Sequence, residues 1–255
     1  MKKLLISEAI CKLNEEVSVE HVRTDKGLQE AYRIRHEVYC VDREFLEGQD
    51  GIETDSYDAH SNHAIIRWRR SGEAIGTVRL VLPIGARGDN FPVEHACDPS
   101  LMRRLPRIRI GEVSRFALPK QQAAQVREVS PTTASLLRLA LLQGALSLSA
   151  EAGHTHWLAV MQPTLLRLLS SDGLHFEPLG PMVTYHGRRQ PVVANLATMM
   201  AGVARQQPAI WHYLTRGGTL VPAWPLRVVS SVPASLLAER SRSQIGLCMK
   251  MAIAA

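Results

Sequence analysis

"NHAIIRWRRSGEAIGTVRLVLP", residues 62–83, holds two strand-like runs rich in Ile, Val, Thr and Trp that meet at Ser71-Gly72. A short glycine-containing joint between two such runs is the signature of a β-hairpin, so strands are expected over 62–70 and 74–83. Outward from this hairpin, Val17 to Arg23 alternates as a short strand and Ile108 to Leu118 as another. Between the first strand and the hairpin, Leu28, Ala31, Tyr32, Arg35, Val38 and Tyr39 recur at helical spacing. Thr24 or Asp25 is placed to cap that helix, because a short oxygen-bearing side chain satisfies free amides at a helix start. Arg35 and Tyr39 are four apart and share a face. Residues 47–62 are polar and turn-rich, and read as a loop; 85–106 are irregular, punctuated by Gly, Asp, Asn and Pro.

Downstream, Ser130-Pro131 is a helix start with proline at the first helical position, and Gly153 ends that helix after about Ala152. His156 to Met161 reads as a strand, Pro163 to Ser170 as a short helix closed by Gly173, and the chain from Leu174 as strand-like with breaks at Pro178, Gly180 and Pro181. Strands in an initial meander followed by strand, helix, strand, helix, strand indicate a mixed α/β sheet. The pattern weakens after Ala204. We therefore expect one domain over 1–204 and a C-terminal helical extension, 205–255, packed on it.

At 255 residues, 45% apolar and 21% charged, the chain has the composition of an ordinary globular protein able to bury a large core. Its formal charge of +6 favours acidic partners. Cys11, Cys40, Cys97 and Cys248 form no C-x-x-C pair, which argues against a zinc ribbon or disulfide scaffold and fits a reducing cytoplasm. The start of the chain has two lysines and then Leu-Leu-Ile, but Ser7, Glu8, Lys12 and Asn14 interrupt it before a signal-peptide core forms. Leu136 to Ala150 contains Arg138 and Gln143, falls short of the ~20 residues a membrane span needs, and reads as a buried helix.

Four pieces carry chemistry: Arg35-x-x-x-Tyr39; Asp55-x-x-Asp58; Gly76-x-x-Arg79-Leu80 with Pro83; and Glu112-x-x-Arg115-Phe116. In this order and at these separations they resemble the acyl-homoserine-lactone autoinducer synthases and the related N-acyl amino acid synthases, both GNAT-like acyltransferases. The resemblance covers roughly Val17 to Leu196. Within that group, "SYDAHSNHAIIRW", "EVSRFALPK" and "PLGPMVTYHGRRQPVVANL" are similar to acyltransferases associated with exosortase and PEP-CTERM sorting systems. The implied fold is a GNAT-like, mostly antiparallel sheet flanked by helices.

The resemblance implies attack of an amine on a thioester carried by acyl carrier protein, giving an amide and a free thiol, with an amino acid as acceptor. No cofactor is implied. An α-amino group is largely protonated at neutral pH, so a base must take its proton, and Glu112 is the candidate. The other reading of Glu112 is a buried partner of Arg79 or Arg115. On a regular strand Glu112 and Arg115 face opposite sides, and a bulge near Gly111 would relax that. Arg79 and Arg115 would hold acidic residues or grip a carboxylate, with Ser114 and Phe116 beside them. Arg35, Asp55 and Asp58 resemble positions lining the acceptor side, and Tyr39, Phe45 and Leu46 would wall the same pocket. Autoinducer synthases place a tryptophan where this chain reads Phe45-Leu46, a departure from the pattern for S-adenosylmethionine.

The apolar helix from Leu136 to Leu148, with Trp157 to Val160, would either line an acyl tunnel or pack as core. Arg67, Arg69, Arg70, Arg103, Arg104, Arg107 and Lys120 are candidates for docking the acidic carrier. The lipid product allows peripheral contact with a membrane. Asp55, Asp58, His60 and His63 offer metal-ligand types, but H-x-x-H at a loop-to-strand boundary is no zinc signature and no metal is expected. Nucleic-acid binding is motivated by the charge and by Arg67-Trp68-Arg69-Arg70, and opposed by the absence of any helix-turn-helix, zinc-finger or RRM pattern. Acyl-CoA as donor is opposed by the lack of glycine between Gln121 and Glu128.

Overall fold

The computed structural model describes residues 2–85, 90–98, 101, 105, 109–185 and 187–224. The expected hairpin is present as β2 (Ser61–Trp68) and β3 (Ala74–Val81), antiparallel with His63 opposite Arg79. β1 (Val17–His21) adds to one side of it and β4 (Ile110–Ala117) to the other, both antiparallel. The sheet continues through β5 (His156–Met161), β8 (Arg188–Asn195) and β6 (Glu177–Pro178), while β7 (Val183–Thr184) pairs with β8. β4 and β5 form the one parallel pair of this sheet, and they are joined only over Ile110–Glu112 and His156–Leu158. Beyond Glu112 and Leu158 the two strands part.

Helices cover both faces. α1 (Lys2–Glu16) leads into β1, and α2 (Asp25–His36) follows it, started by Thr24, whose hydroxyl accepts the Gly27 N–H at 3.2 Å. α3 (Lys120–Val129) and α4 (Pro131–Glu151) follow β4, and α5 (Pro163–Ser171) follows β5. α4 packs across β1 to β4, and on that face Ala64, Ile66, Val78, Leu80, Trp157 and Ala159 meet its buried Leu137, Leu139, Ala140 and Leu141. Gly144 permits this approach, since a Cβ there would stand 2.9 Å from the Ala64 Cβ. The buried Trp157 indole N–H donates to Ser149 Oγ at 2.7 Å, which satisfies that polar atom within the core. α4 therefore packs as part of the core. At 21 residues it is also long and apolar enough to cross a membrane, but 78% of its most apolar window is buried inside the fold.

The domain boundary expected after 204 falls within α6 (Leu196–Gln206), which is followed directly by α7 (Pro208–Leu214). Ile210, Leu214 and Trp224 belong to the main core, and Gln143 of α4 donates to the Tyr213 carbonyl at 2.6 Å. The compact unit thus runs to Trp224, because this segment supplies core side chains that the earlier part of the chain needs. The remainder of the expected extension, 225–255, lies outside the described residues, as do Arg103, Arg104 and Arg107.

Candidate active site

The face of the sheet under α2 gathers the charged residues. His63, Arg79 and Ser114 form one cross-strand row and Val81, Glu112 and Leu158 the next, by strand register. The register of β3 against β4 shifts between Thr77, opposite Ala117, and Arg79, opposite Ser114. Arg115 and Phe116 therefore share a single opposing residue, Val78, and Arg115 takes φ 49°, in the left-handed region. This is a β-bulge, and it turns both Ser114 and Arg115 toward α2 while sending Phe116 against the main core. Glu112 and Arg115 consequently share a face. The bulge expected near Gly111 sits instead at Arg115. Gly111 has another reason to lack a side chain: a Cβ there would lie 2.8 Å from both His154 Nδ1 and Leu80 Cδ1.

Three arginines and three carboxylates interlock on this face. Arg35 of α2 donates from Nε to Glu53 at 2.6 Å, and from Nη1 and Nη2 to the two oxygens of Asp58 at 2.6 and 3.0 Å. Arg79 donates from Nη1 to Asp55 at 2.5 Å and Asp58 at 2.9 Å, and from Nε to Ser114 Oγ at 3.0 Å. Arg115 spans both Glu53 oxygens, at 2.9 and 2.8 Å, and reaches Asp55 at 2.8 Å. Asp55 also caps a 3-10 turn (Ser56–His60), accepting from the Tyr57 N–H while Asp58 accepts from the Asp55 N–H. The same two aspartates therefore shape the loop and anchor it to three other elements. Adjacent arginines hold the Asp58 and Glu53 carboxyls below the usual carboxylate range against the opposing effect of burial. The guanidinium of Arg115 is held still more firmly charged by Glu53 and Asp55.

Tyr39 lies in a π-helical turn (Glu37–Val41) that continues α2 and is closed by the Asp42 N–H to the Glu37 carbonyl at 2.7 Å. Its hydroxyl donates to the Phe116 carbonyl at 3.3 Å, and the Arg115 guanidinium lies 5.4 Å from its ring centre. Phe45 follows it, its N–H donating to the Tyr39 carbonyl at 2.8 Å. Leu46 makes the same bond at 3.2 Å.

Glu112 stands apart from the ionic cluster. Its recorded bond accepts the Val93 N–H, at 2.8 Å, from a 3-10 turn (Pro92–His95). Burial pushes its carboxyl up to about 8, outweighing the Val93 bond and the Arg79 and Arg115 charges that act the other way. It sits at the last β4–β5 pair, at the point where the strands separate.

Two participants were not singled out from sequence as part of this cluster. Glu53 completes the charge balance, and the equal number of acids in 53–58 and arginines at 35, 79 and 115 was the available signal. His63 is 3% exposed, stacks edge-on with Tyr32 at 5.8 Å, and is kept neutral, its pKa lowered by burial and nearby arginines to about 4. Neither of its ring nitrogens, nor Arg79 Nη2, has a hydrogen-bond partner among the described residues. His60 is turned elsewhere, 3.2 Å from the Asn90 carbonyl. Of the expected docking cations, Arg67 is taken by Glu20 and Glu30 instead of facing solvent. Arg69 and Arg70 are exposed in the β2–β3 turn, and Lys120 is exposed at the start of α3, where it donates to the Asp42 carbonyl at 2.9 Å.

Among solved structures, FeeM, an N-acyl amino acid synthase from uncultured soil microbes, matches at 15% identity with a TM-score of 0.53, over 75% of this chain and 97% of its own. MesI, a CoA-dependent acyl-homoserine lactone synthase, matches at 19% with a TM-score of 0.55, over 79% and 95%. BjaI, a CoA-dependent acyl-homoserine lactone synthase solved with SAM and isopentyl-CoA, matches at 19% with a TM-score of 0.55, over 89% and 99%. At these identities the likeness concerns the fold, a mixed sheet flanked by helices. No curated protein sequence matches. The family model of the N-acyl amino acid synthase FeeM matches residues 30–198, which contain the ionic cluster, the bulged strand and the parted strand pair. The chain belongs to the N-acyl amino acid synthase FeeM family, and is an N-acyltransferase that joins an activated acyl donor to an amine acceptor.

Proposed function

We propose that this enzyme transfers a long-chain acyl group from acyl carrier protein to the amino group of an amino acid, with Glu112 as the base. One observation carries the reading: the strands β4 and β5 part at Glu112 and Leu158, so that beyond this point the facing backbone edges no longer pair with each other, beside a buried carboxyl. An extended pantetheine arm can pair with such edges as a strand would, which brings its thioester to Glu112. The amine nitrogen attacks the thioester carbon, the C–N bond forms, the C–S bond breaks, and the departing thiolate takes up the proton that Glu112 received from the amine. N–H groups of those edges are donors for the carbonyl oxygen as charge develops on it.

With a pKa of about 8 the carboxyl keeps its proton over most of the neutral range, and its ionised fraction, which grows as pH nears 8, is the form that takes the proton from the amine. An α-amino group titrates at roughly 8, so the proton passes between acceptor and carboxyl with little free-energy cost in either direction. The interlocked cluster of Arg35, Arg79 and Arg115 with Glu53, Asp55 and Asp58 has no net charge, and its role is to fix Tyr39, Ser114 and the 42–60 loop around the acceptor. Arg69, Arg70 and Lys120 lie at the end of the sheet toward which the seam opens, and serve as docking cations for the acidic carrier. A carrier-borne donor places the reaction in the cytoplasm, and the product would partition to the membrane surface.

The test is incubation of purified protein with hexadecanoyl acyl carrier protein or hexadecanoyl-CoA, an equimolar panel of amino acids, and S-adenosylmethionine, with products identified by mass spectrometry. An N-acyl amino acid formed faster from the carrier than from CoA is expected. A homoserine lactone as sole product would overturn the acceptor assignment, and equal or faster turnover of acyl-CoA would overturn the donor.

A further inference from the structure

We infer that Arg43 and Arg189, both set against the ring of Phe45, form the subsite that grips the carboxylate of the acceptor amino acid. The inference rests on the function proposed above and adds to it how the acceptor is recognised. The Arg43 and Arg189 guanidinium carbons lie 5.9 and 5.6 Å from the Phe45 ring centre. The two come from separate parts of the chain: Arg43 from the loop after the Tyr39 turn, Arg189 from β8. Neither forms an ion pair among the described residues; the one recorded bond of Arg189 goes to the Arg188 carbonyl at 3.2 Å. The arginines of the ionic cluster, 35, 79 and 115, are bound to carboxylates, whereas Arg43 and Arg189 have no carboxylate partner among the described residues. Desolvation, and then the charge of Arg43, lower the Arg189 pKa, the mark of like charges brought together without an acid.

Strand parity selects the ligand. Val193 opposes Leu158, which opposes Glu112, so Arg189, four residues along β8, points to the same side of the sheet as the Glu112 carboxyl. A donor arm lies in the plane of the sheet, inside the seam. An acceptor approaches the thioester from the α2 side, where Phe45, Tyr39 and both guanidinium groups stand. A carboxylate bridging two guanidinium groups there carries its neighbouring amine along the same wall. The two positive charges also disfavour the ammonium form of that amine, which is the direction the reaction requires.

The experiment uses Arg189→Gln and Arg43→Gln, with kcat/KM measured for the best wild-type acceptor amino acid and for its carboxamide. In parallel, calorimetry measures binding of N-dodecanoylglycine and N-dodecanoylglycinamide. Wild type should favour the acid over the amide at least about tenfold in both assays, the size of a charged hydrogen bond, and each variant should lose that preference while keeping its KM for the acyl donor. Arg43 is exposed, so its variant remains informative should Arg189→Gln lower the melting temperature. A wild-type enzyme indifferent to the carboxylate overturns the inference. So does a preference retained in both variants, including the case where only the donor KM rises, as it would if the pair held the donor phosphate. If no amino acid is acylated at all, the proposed function fails, and the calorimetric comparison alone decides the subsite.

Discussion

At the scale of single residues, Glu112, the proposed base, couples its protonation to stability through its burial. Between about pH 4.5 and about 8 the unfolded chain loses the Glu112 proton while the folded chain keeps it, so stability falls as pH rises through that window. Glu112→Gln should flatten the fall, read as denaturant midpoints at pH 5 and 8, and should lower turnover by about 10²–10⁴, the usual contribution of a positioned base. Unchanged turnover in a folded variant would remove Glu112 from the mechanism. Arg35 is fully buried with two carboxylate partners. Arg35→Ala leaves Glu53 and Asp58 short of a cation and should cost about 3–5 kcal/mol in equilibrium unfolding. The participating residue types were readable in the sequence: arginines at 35, 79 and 115, aspartates at 55 and 58, and the glutamate at 112. Which acid meets which arginine was not, because partners lie 18 to 62 positions apart and register decides them.

At the scale of elements, the hairpin and the helix from Pro131 were legible because their punctuation, Ser71-Gly72 and Ser130-Pro131, is local chemistry. α1 carries Ile6, Ile10 and Leu13 at helical spacing, a helical signal that the interruptions at Ser7, Glu8 and Lys12 do not erase. α3 offered little to read, since Val126 is its one buried residue and no apolar stripe exists. The bulge in β4 had no glycine to announce it: the left-handed position is held by Arg115, secured by Glu53 and Asp55. Replacement by glycine loses those bonds but suits the backbone, whereas valine loses them and adds strain. Arg115→Val should therefore be less stable than Arg115→Gly by about 1–2 kcal/mol, and equal stabilities would argue against a strained bulge.

At the scale of the whole molecule, the core closes with Trp224 rather than near 204, a fact hidden from sequence because Pro208, Gly217, Gly218 and Pro222 disguise core-filling residues as a trailing segment. Truncation after Trp224 should leave a cooperative thermal transition, while truncation after Ala204, which removes Ile210, Leu214 and Trp224, should abolish it in calorimetry. Two half-sheets meet along just three parallel rungs, and α4 braces one of them from behind. Such a join acts as a permanent crease. On the proposed mechanism a tethered substrate would be threaded and withdrawn, turnover after turnover, without unzipping any ladder, and the machinery would not have to melt in part to be loaded.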